Sequence, residues 1–511
     1  MKKFFLLTIA ALLVTTSLSA QRPLDWGDQH NGTYKNPVLN ADYSDPDVIR
    51  VDNKYYMVAS DFHFIGMQVL ESFDLVNWHI ISQIYNRFDL PGWDENAHYG
   101  GGSWAPSIRY HDGLFYVYFC TPDEGLFMST ATDPHGPWSP LHCLKAVEKW
   151  EDPCPFWDDD GKAYLGRSQW GAGPIIVHRM SADGKELLDD GITVYTGPVA
   201  EGTKFLKRNG YYYLIIPEGG VGTGWQTVLR SRNIYGPYER RVVLEQGSTN
   251  VNGPHQGALV DTPDGTWWFF HFQETHPAGR VVHLQPARWK DGWPLIGVDI
   301  DGNGIGEPVA VWSLPLPLQK EGKPNWQFAP GGPWQWNHNP VDSAWHYLPS
   351  FGGGGGGLSF NILPAATMKD SRNMLTQKSV GYESEATVCL DCSEMRNGDY
   401  VGLLCMGKQF MGAGVCLKDG QRYFYFEDDN QPQLLSTFER NIVYLRVTID
   451  SRNNQHQFSV SLDGTEFRPI GHPFSLRMGY WKGSRIGVYS YATGQTAGKV
   501  IFSDFRYVVT R

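Results

Sequence analysis

Arg109-Tyr-His-Asp-Gly-Leu-Phe-Tyr116 is the stretch whose reading decides the fold. An Asp-Gly pair between strand-forming runs marks a tight hairpin. The same pattern returns in Arg50-Val-Asp-Asn-Lys-Tyr-Tyr56, Phe156-Trp-Asp-Asp-Asp-Gly-Lys-Ala-Tyr164, Phe205-Leu-Lys-Arg-Asn-Gly-Tyr-Tyr-Tyr213 and Leu259-Val-Asp-Thr-Pro-Asp-Gly-Thr-Trp-Trp268. Each copy reads as a strand, a polar turn ending in Gly (Asn53 in the first copy), then an aromatic strand. A spacing of about fifty residues suits one four-stranded blade per copy, so the repeats predict a five-bladed β-propeller. Aromatic and β-branched residues fill both strands, as packing of blade on blade requires. No long helical period interrupts them.

A second regularity points to chemistry. Eight to ten residues before each turn residue stand Asp45, Trp104, Asp152, Glu201 and His255. Equivalent positions of a radial repeat surround one axis, so three acids, a Trp and a His are expected to converge at one end of the channel. A lone Asp before Pro is more often a turn cap, and a core needs no acids at a matching offset. Two carboxyl groups across a pocket are what glycoside hydrolysis uses. Asp45, in Ser44-Asp-Pro-Asp47, has Pro46 to stiffen its turn and reads as the general base. Glu201, in Val199-Ala-Glu-Gly202, has apolar neighbours expected to raise its pKa and reads as the general acid. Asp152, in Trp150-Glu-Asp-Pro-Cys154, is the third carboxylate expected to tune and orient that acid.

The chain has 511 residues, more than one ordinary domain holds. A formal charge of −11 and no basic stripe argue against nucleic acid. The 19 Trp and 26 Tyr supply rings that can stack on sugars as well as fill cores. Met1-Lys-Lys-Phe-Phe-Leu-Leu, an apolar run and Ser17-Leu-Ser-Ala20 read as a secretory signal peptide over 1–20, so a periplasmic or secreted protein without a membrane anchor is expected. Seven cysteines inside strand-like runs predict buried free thiols, and Cys389-Leu-Asp-Cys392 lacks a second pair at zinc spacing. Asp299-Ile-Asp-Gly-Asn-Gly304 starts like a calcium loop, but Ala310 stands where the closing Glu is needed. The propeller is placed at 34–318, with Lys320-Glu-Gly-Lys-Pro324 as a linker. Short strands with regular turns predict a second, β-sandwich domain over 325–511, and Gly352 to Gly357 reads as a flexible loop. The whole is all-β.

The motifs around these residues resemble a known family. Asp42-Tyr-Ser-Asp-Pro-Asp-Val-Ile49, Gly101-Gly-Ser-Trp-Ala-Pro-Ser-Ile-Arg109, Glu151-Asp-Pro-Cys-Pro-Phe156, Ala200-Glu-Gly-Thr-Lys-Phe205 and Gly253-Pro-His-Gln-Gly257 are similar, in order, to the blade motifs of glycoside hydrolase family 43. The resemblance implies an inverting enzyme with Asp45 as base, Asp152 as pKa modulator and Glu201 as acid. It further implies that Phe62 and Trp104 wall the terminal sugar and that Arg280 binds its hydroxyls. His255 matches a channel histidine that holds calcium through water; no other cofactor is implied. Trp334-Gln-Trp-Asn-His-Asn-Pro340, Arg372-Asn-Met-Leu-Thr-Gln377 and Gly398-Asp-Tyr-Val-Gly-Leu403 resemble the concanavalin-like (jelly-roll) sandwich of the xylosidase and arabinofuranosidase branch. That branch implies an exo-acting enzyme removing α-L-arabinofuranosyl, favoured slightly, or β-D-xylosyl residues from plant cell-wall oligo- or polysaccharides. An endo-arabinanase, a retaining fructan-processing propeller and a non-catalytic glycan-binding propeller are the rival readings. An appended sandwich weighs against the first, and the intact acid set against the last.

Overall fold

The computed structural model of the chain describes residues 27–318, 328, 332–349, 356–429, 431–494 and 497–510. The expected leader at 1–20, the expected linker at 320–324 and glycines 352–355 lie outside the described residues. Five four-stranded antiparallel sheets follow one another along the chain at 44–83, 104–146, 150–195, 204–244 and 255–296. They are blades 1 to 5. The quoted repeats are the hairpins between the first two strands of each blade, with registers such as His111↔Leu114 and Arg208↔Tyr211. Asp112 and Gly113 have φ of 47° and 81°, and Asn209 and Gly210 have 52° and 73°. Left-handed backbone at both turn residues matches the twist of the strands, which is why Asp-Gly and Asn-Gly sit there.

A blade is covered on both faces, so its inner strands are apolar at every position rather than at alternate ones. Tyr116, Tyr118 and Cys120 pack with Ala163 and Leu165 of blade 3. The intervening Phe115, Val117 and Phe119 face the other way, in the core that holds Tyr56 and Met57 of blade 1. Polar links tie the ring at the far end of the channel. Arg50 of blade 1 pairs with Asp261 of blade 5 at 2.8 Å, and Arg109 of blade 2 with Asp47 of blade 1 at 2.6 Å. The ring closes without strand exchange. Instead the segment before blade 1 lies along blade 5, where Asn36 donates to the Leu284 carbonyl and accepts from its amide, both at 2.8 Å.

Two seven-stranded antiparallel sheets face each other beyond residue 334 and make the sandwich. It seats on blade 1 through buried charge. Lys378 donates to Asp61 at 2.7 Å, and Lys482 lies 3.0 Å from Asp42. Burial would raise Asp61, but the charges of Lys378 and Lys482 hold it down to about 2. The backbones also touch. A Cβ on Gly279 would lie 2.4 Å from Asp42 and 2.7 Å from Gly483, so two glycines permit the domains to meet. All seven cysteines are free; six are buried as the sequence predicts, but Cys143 is exposed on an outer strand of blade 2. The Asp299–Gly304 turn is closed by its own side chains, with Asp301 and Asn303 accepting from Asn303 and Ile305 amides.

Candidate active site

At the start of every blade the innermost strand kinks. Register shifts fall at Ser44/Asp47, Trp104/Ser107, Glu151/Cys154 and His255/Gly257, and blade 4 has no pairing before Lys204. The residue at each kink has left-handed backbone: Asp45 (φ 55°), Ala105 (37°), Asp152 (56°), Gly202 (66°) and Gln256 (36°). A bulge of this kind turns side chains toward the channel mouth. It also corrects the sequence offset. Asp45 and Asp152 occupy the kinked position itself, whereas Trp104, Glu201 and His255 stand one residue earlier. Blade 3 therefore supplies acids at both positions, and its earlier one is Glu151.

These residues line a cavity of about 340 Å³ together with Phe62, Arg280, Trp170 and Trp481. Every site residue expected from the sequence, Asp45, Phe62, Trp104, Asp152, Glu201, His255 and Arg280, reaches it. Asp45 is buried, and its Oδ2 accepts from Ser44 at 2.8 Å and Ser60 at 2.6 Å. Its Oδ1 lies 3.5 Å from Nη1 of Arg280. The same guanidinium is positioned by Ser44 at 2.9 Å, by Glu274 at 3.2 Å and by the Phe272 ring.

The opposite wall is different. Oxygens of Glu151, Asp152 and Glu201 lie within 4.8 Å of one another. Asp152 accepts from the Gly202 amide at 2.8 Å, from Gln256 at 2.9 Å and from Ser168. Burial and then the Glu201 charge push the Asp152 carboxyl upward, against those three donors. Glu201 has one side-chain partner, Nε2 of His255 at 2.8 Å. Burial first, then the charges of Asp152, Glu201 and Asp45, push Glu151 up to about 9.

His255 contributes little to a direct metal site. Its Nε2 is engaged by Glu201, and its Nδ1 is buried without a partner. Among the described residues no group of three His, Cys, Asp or Glu side chains at ligand spacing includes His255. Calcium takes oxygen ligands, and His255 offers one nitrogen, so any ion beside it would have to be held mainly by water.

Aromatic rings form the rim. Trp104 lies 5.6 Å from Trp170, 6.0 Å from Phe62 and 6.3 Å from Trp481, ring centre to ring centre. Gly102 is required behind them, because a Cβ there would sit 2.0 Å from the Phe62 carbonyl. Trp481 comes from the sandwich. It occupies, with Tyr480, a two-residue turn closed by Gly479 and Lys482, at φ of 55° and 65°. Bulky side chains rarely adopt that backbone. Tyr480 stacking on Tyr99 at 4.7 Å and the buried Lys482 keep it in place.

Glu151, Trp170 and Trp481 were not among the site residues expected from the sequence. The repeats carried a signal for Glu151, visible once the bulge fixes the alignment. Trp481 had none, because another domain delivers it.

A five-bladed propeller with an arginine-paired aspartate and three clustered carboxyl groups in a sugar-sized, aromatic-rimmed cavity defines a glycoside hydrolase. The model of the glycosyl hydrolases family 43 matches residues 34–294, that of the β-xylosidase C-terminal concanavalin A-like domain matches residues 329–508, and the chain belongs to family 43. A protein of Xylanibacter ruminicola provisionally named β-xylosidase is 63% identical over 468 residues, 90% of this chain and 87% of that protein. A β-xylosidase of Formosa agariphila is 34% identical over 542 residues, covering 94% and 91%. A solved family 43 glycoside hydrolase, engineered to display endo-xylanase and exo-arabinofuranosidase activity, superposes with a TM-score of 0.82 at 25% identity, over 94% of this chain and 99% of that one.

Proposed function

We propose that the protein is an exo-acting, inverting glycosidase that removes terminal β-D-xylosyl residues from plant cell-wall glycans. Terminal α-L-arabinofuranosyl residues, whose hydroxyls present a similar pattern, are its second substrate. The observation that carries this reading is the asymmetry of the cavity: one aspartate is paired with arginine, while the clustered carboxyl groups have no such partner among the described residues. The two relatives named β-xylosidase move the weight from the arabinosyl expectation to xylosyl. The small cavity, overhung by Trp481, suits a chain end rather than a chain interior, which favours this reading over an endo-arabinanase.

In this mechanism Asp45 takes a proton from a water molecule as that water bonds to the anomeric carbon. Ser44 and Ser60 hold Oδ2, leaving Oδ1 to face the water beside Arg280. Glu201 gives its proton to the glycosidic oxygen as the old bond breaks. Asp152 and Glu201 crowd together in a buried wall, so one proton serves the pair, and Glu201, the more exposed of the two, is the member that delivers it. His255 orients Glu201. A water-held calcium ion at His255 Nδ1 would add a positive charge behind the acid. The leader-like first twenty residues support export to the periplasm or beyond.

The test is the anomer first released from nitrophenyl β-D-xyloside, followed by proton NMR before mutarotation. Inversion yields α-xylose, and it needs carboxyl groups about 6.5–9.5 Å apart with water between them. Initial β-xylose, or a glycosyl ester trapped on Asp45, would overturn the mechanism.

A further inference from the structure

Glu151 is the one acid of the pocket for which the three-carboxylate mechanism has no use. It is 8% exposed and lines the cavity, yet none of the described residues gives its carboxyl a hydrogen bond. Its backbone is fixed in the first strand of blade 3, opposite Ser168, immediately before the bulge. The side chain thus enters the cavity at the repeat position that Glu201 occupies in blade 4. Among the described residues no lysine or arginine pairs with it, and the charges that reach it are those of Asp152, Glu201 and Asp45. Facing the cavity, this carboxyl is left for water or a ligand to complete.

Two ligands could do so. A divalent cation would draw on all three clustered acids, but Oδ2 of Asp152 already accepts from the Gly202 amide and Ser168, its Oδ1 from Gln256, and Oε1 of Glu201 faces His255, which leaves few open lone pairs for it. A sugar hydroxyl needs only Glu151 itself. We infer that the Glu151 carboxyl hydrogen-bonds a hydroxyl of the sugar in this pocket, and so helps decide which sugars are held. When protonated, it can serve one hydroxyl as donor and acceptor. This rests on the glycosidase reading of the cavity.

Glutamine keeps a neutral donor and acceptor of the same length, while leucine keeps the bulk and removes both. Xylose and arabinose binding by calorimetry, with kcat/KM on the nitrophenyl glycosides, is compared for the native chain, Glu151→Gln and Glu151→Leu near neutral pH. Glu151→Leu is expected to weaken sugar binding and kcat/KM by about tenfold, and Glu151→Gln by about threefold or less, as loss or retention of one hydrogen bond predicts. Native affinity in Glu151→Leu would overturn the inference, as would equal losses in both variants. So would activity lost to EDTA and restored by calcium in the native chain but not in Glu151→Gln, which would make the cluster a metal site. Should Glu151→Leu unfold, Glu151→Ala, read with the same sugars, takes its place. Sugar binding that follows these variants in a protein hydrolysing neither glycoside would sink the glycosidase reading and leave this one standing.

Discussion

The two walls of the pocket treat carboxyl groups in opposite ways. On blade 1, Asp45 lies beside Arg280 and receives two serine hydroxyls, so its charge is supported at rest. On blades 3 and 4, Glu151, Asp152 and Glu201 crowd together with no lysine or arginine paired to them among the described residues. One wall is built to hold an anion and the other to hold protons. The contrast lies in the surroundings, serine hydroxyls and a guanidinium on one side and crowded carboxyl groups on the other.

That contrast sets the order of expected effects. Asp45→Asn removes the supported anion and should cost about 10³-fold or more in kcat/KM, since general base catalysis is worth about 10²–10⁴. Glu201→Gln should cost as much on an alkyl xyloside but much less on a dinitrophenyl xyloside, whose leaving group needs little protonation. Equal losses on both substrates would break the assignment of the acid wall.

The next effect concerns the contact between domains. Lys482→Met leaves Asp42 buried without its cation, a change worth about 3–5 kcal/mol. A lowered thermal midpoint with a raised KM is expected, because the buried Lys482 side chain anchors the turn that carries Trp481 to Asp42 and the Ser60 carbonyl. Trp481→Gly is milder and separates the two consequences. It should raise KM about two- to tenfold through lost ring contact while leaving the midpoint unchanged or higher, because glycine accepts the left-handed turn.

The smallest effect reads the acid wall directly. Glu151 is pushed from its ordinary 4.5 up to about 9. Between those values the unfolded chain has released this proton and the folded chain has kept it, so its contribution to stability declines as pH rises through the window. Glu151→Gln removes that decline. Its thermal midpoint relative to the native chain should therefore climb from pH 5 toward pH 9. A constant difference across that range would mean that Glu151 is ionised in the fold.

Much of this was legible before any coordinates. The Asp-Gly and Asn-Gly hairpins were readable because those turns need left-handed backbone, which few residues supply cheaply. The acids were readable because five copies of one unit give the eye a reference for what a blade needs for packing alone. Glu151 was passed over for a specific reason. Aligning the copies by their turns puts Asp152 level with Glu201, and only the bulge shows that Asp152 sits one residue further along, with Glu151 in register.

The sequence by itself determined the number of blades, the sandwich that follows and the side chains available at the channel mouth, because local turn chemistry and repeat spacing are properties of the chain. Tertiary structure decided which of those side chains are charged, paired or left open, because burial and opposing charges come from residues far apart along it. Asp45 depends on Arg280, 235 residues away. Trp481 reaches the rim only because buried ion pairs such as Lys482–Asp42 and the contact of Gly279 with Gly483 bring the sandwich against the seam between blades 1 and 5.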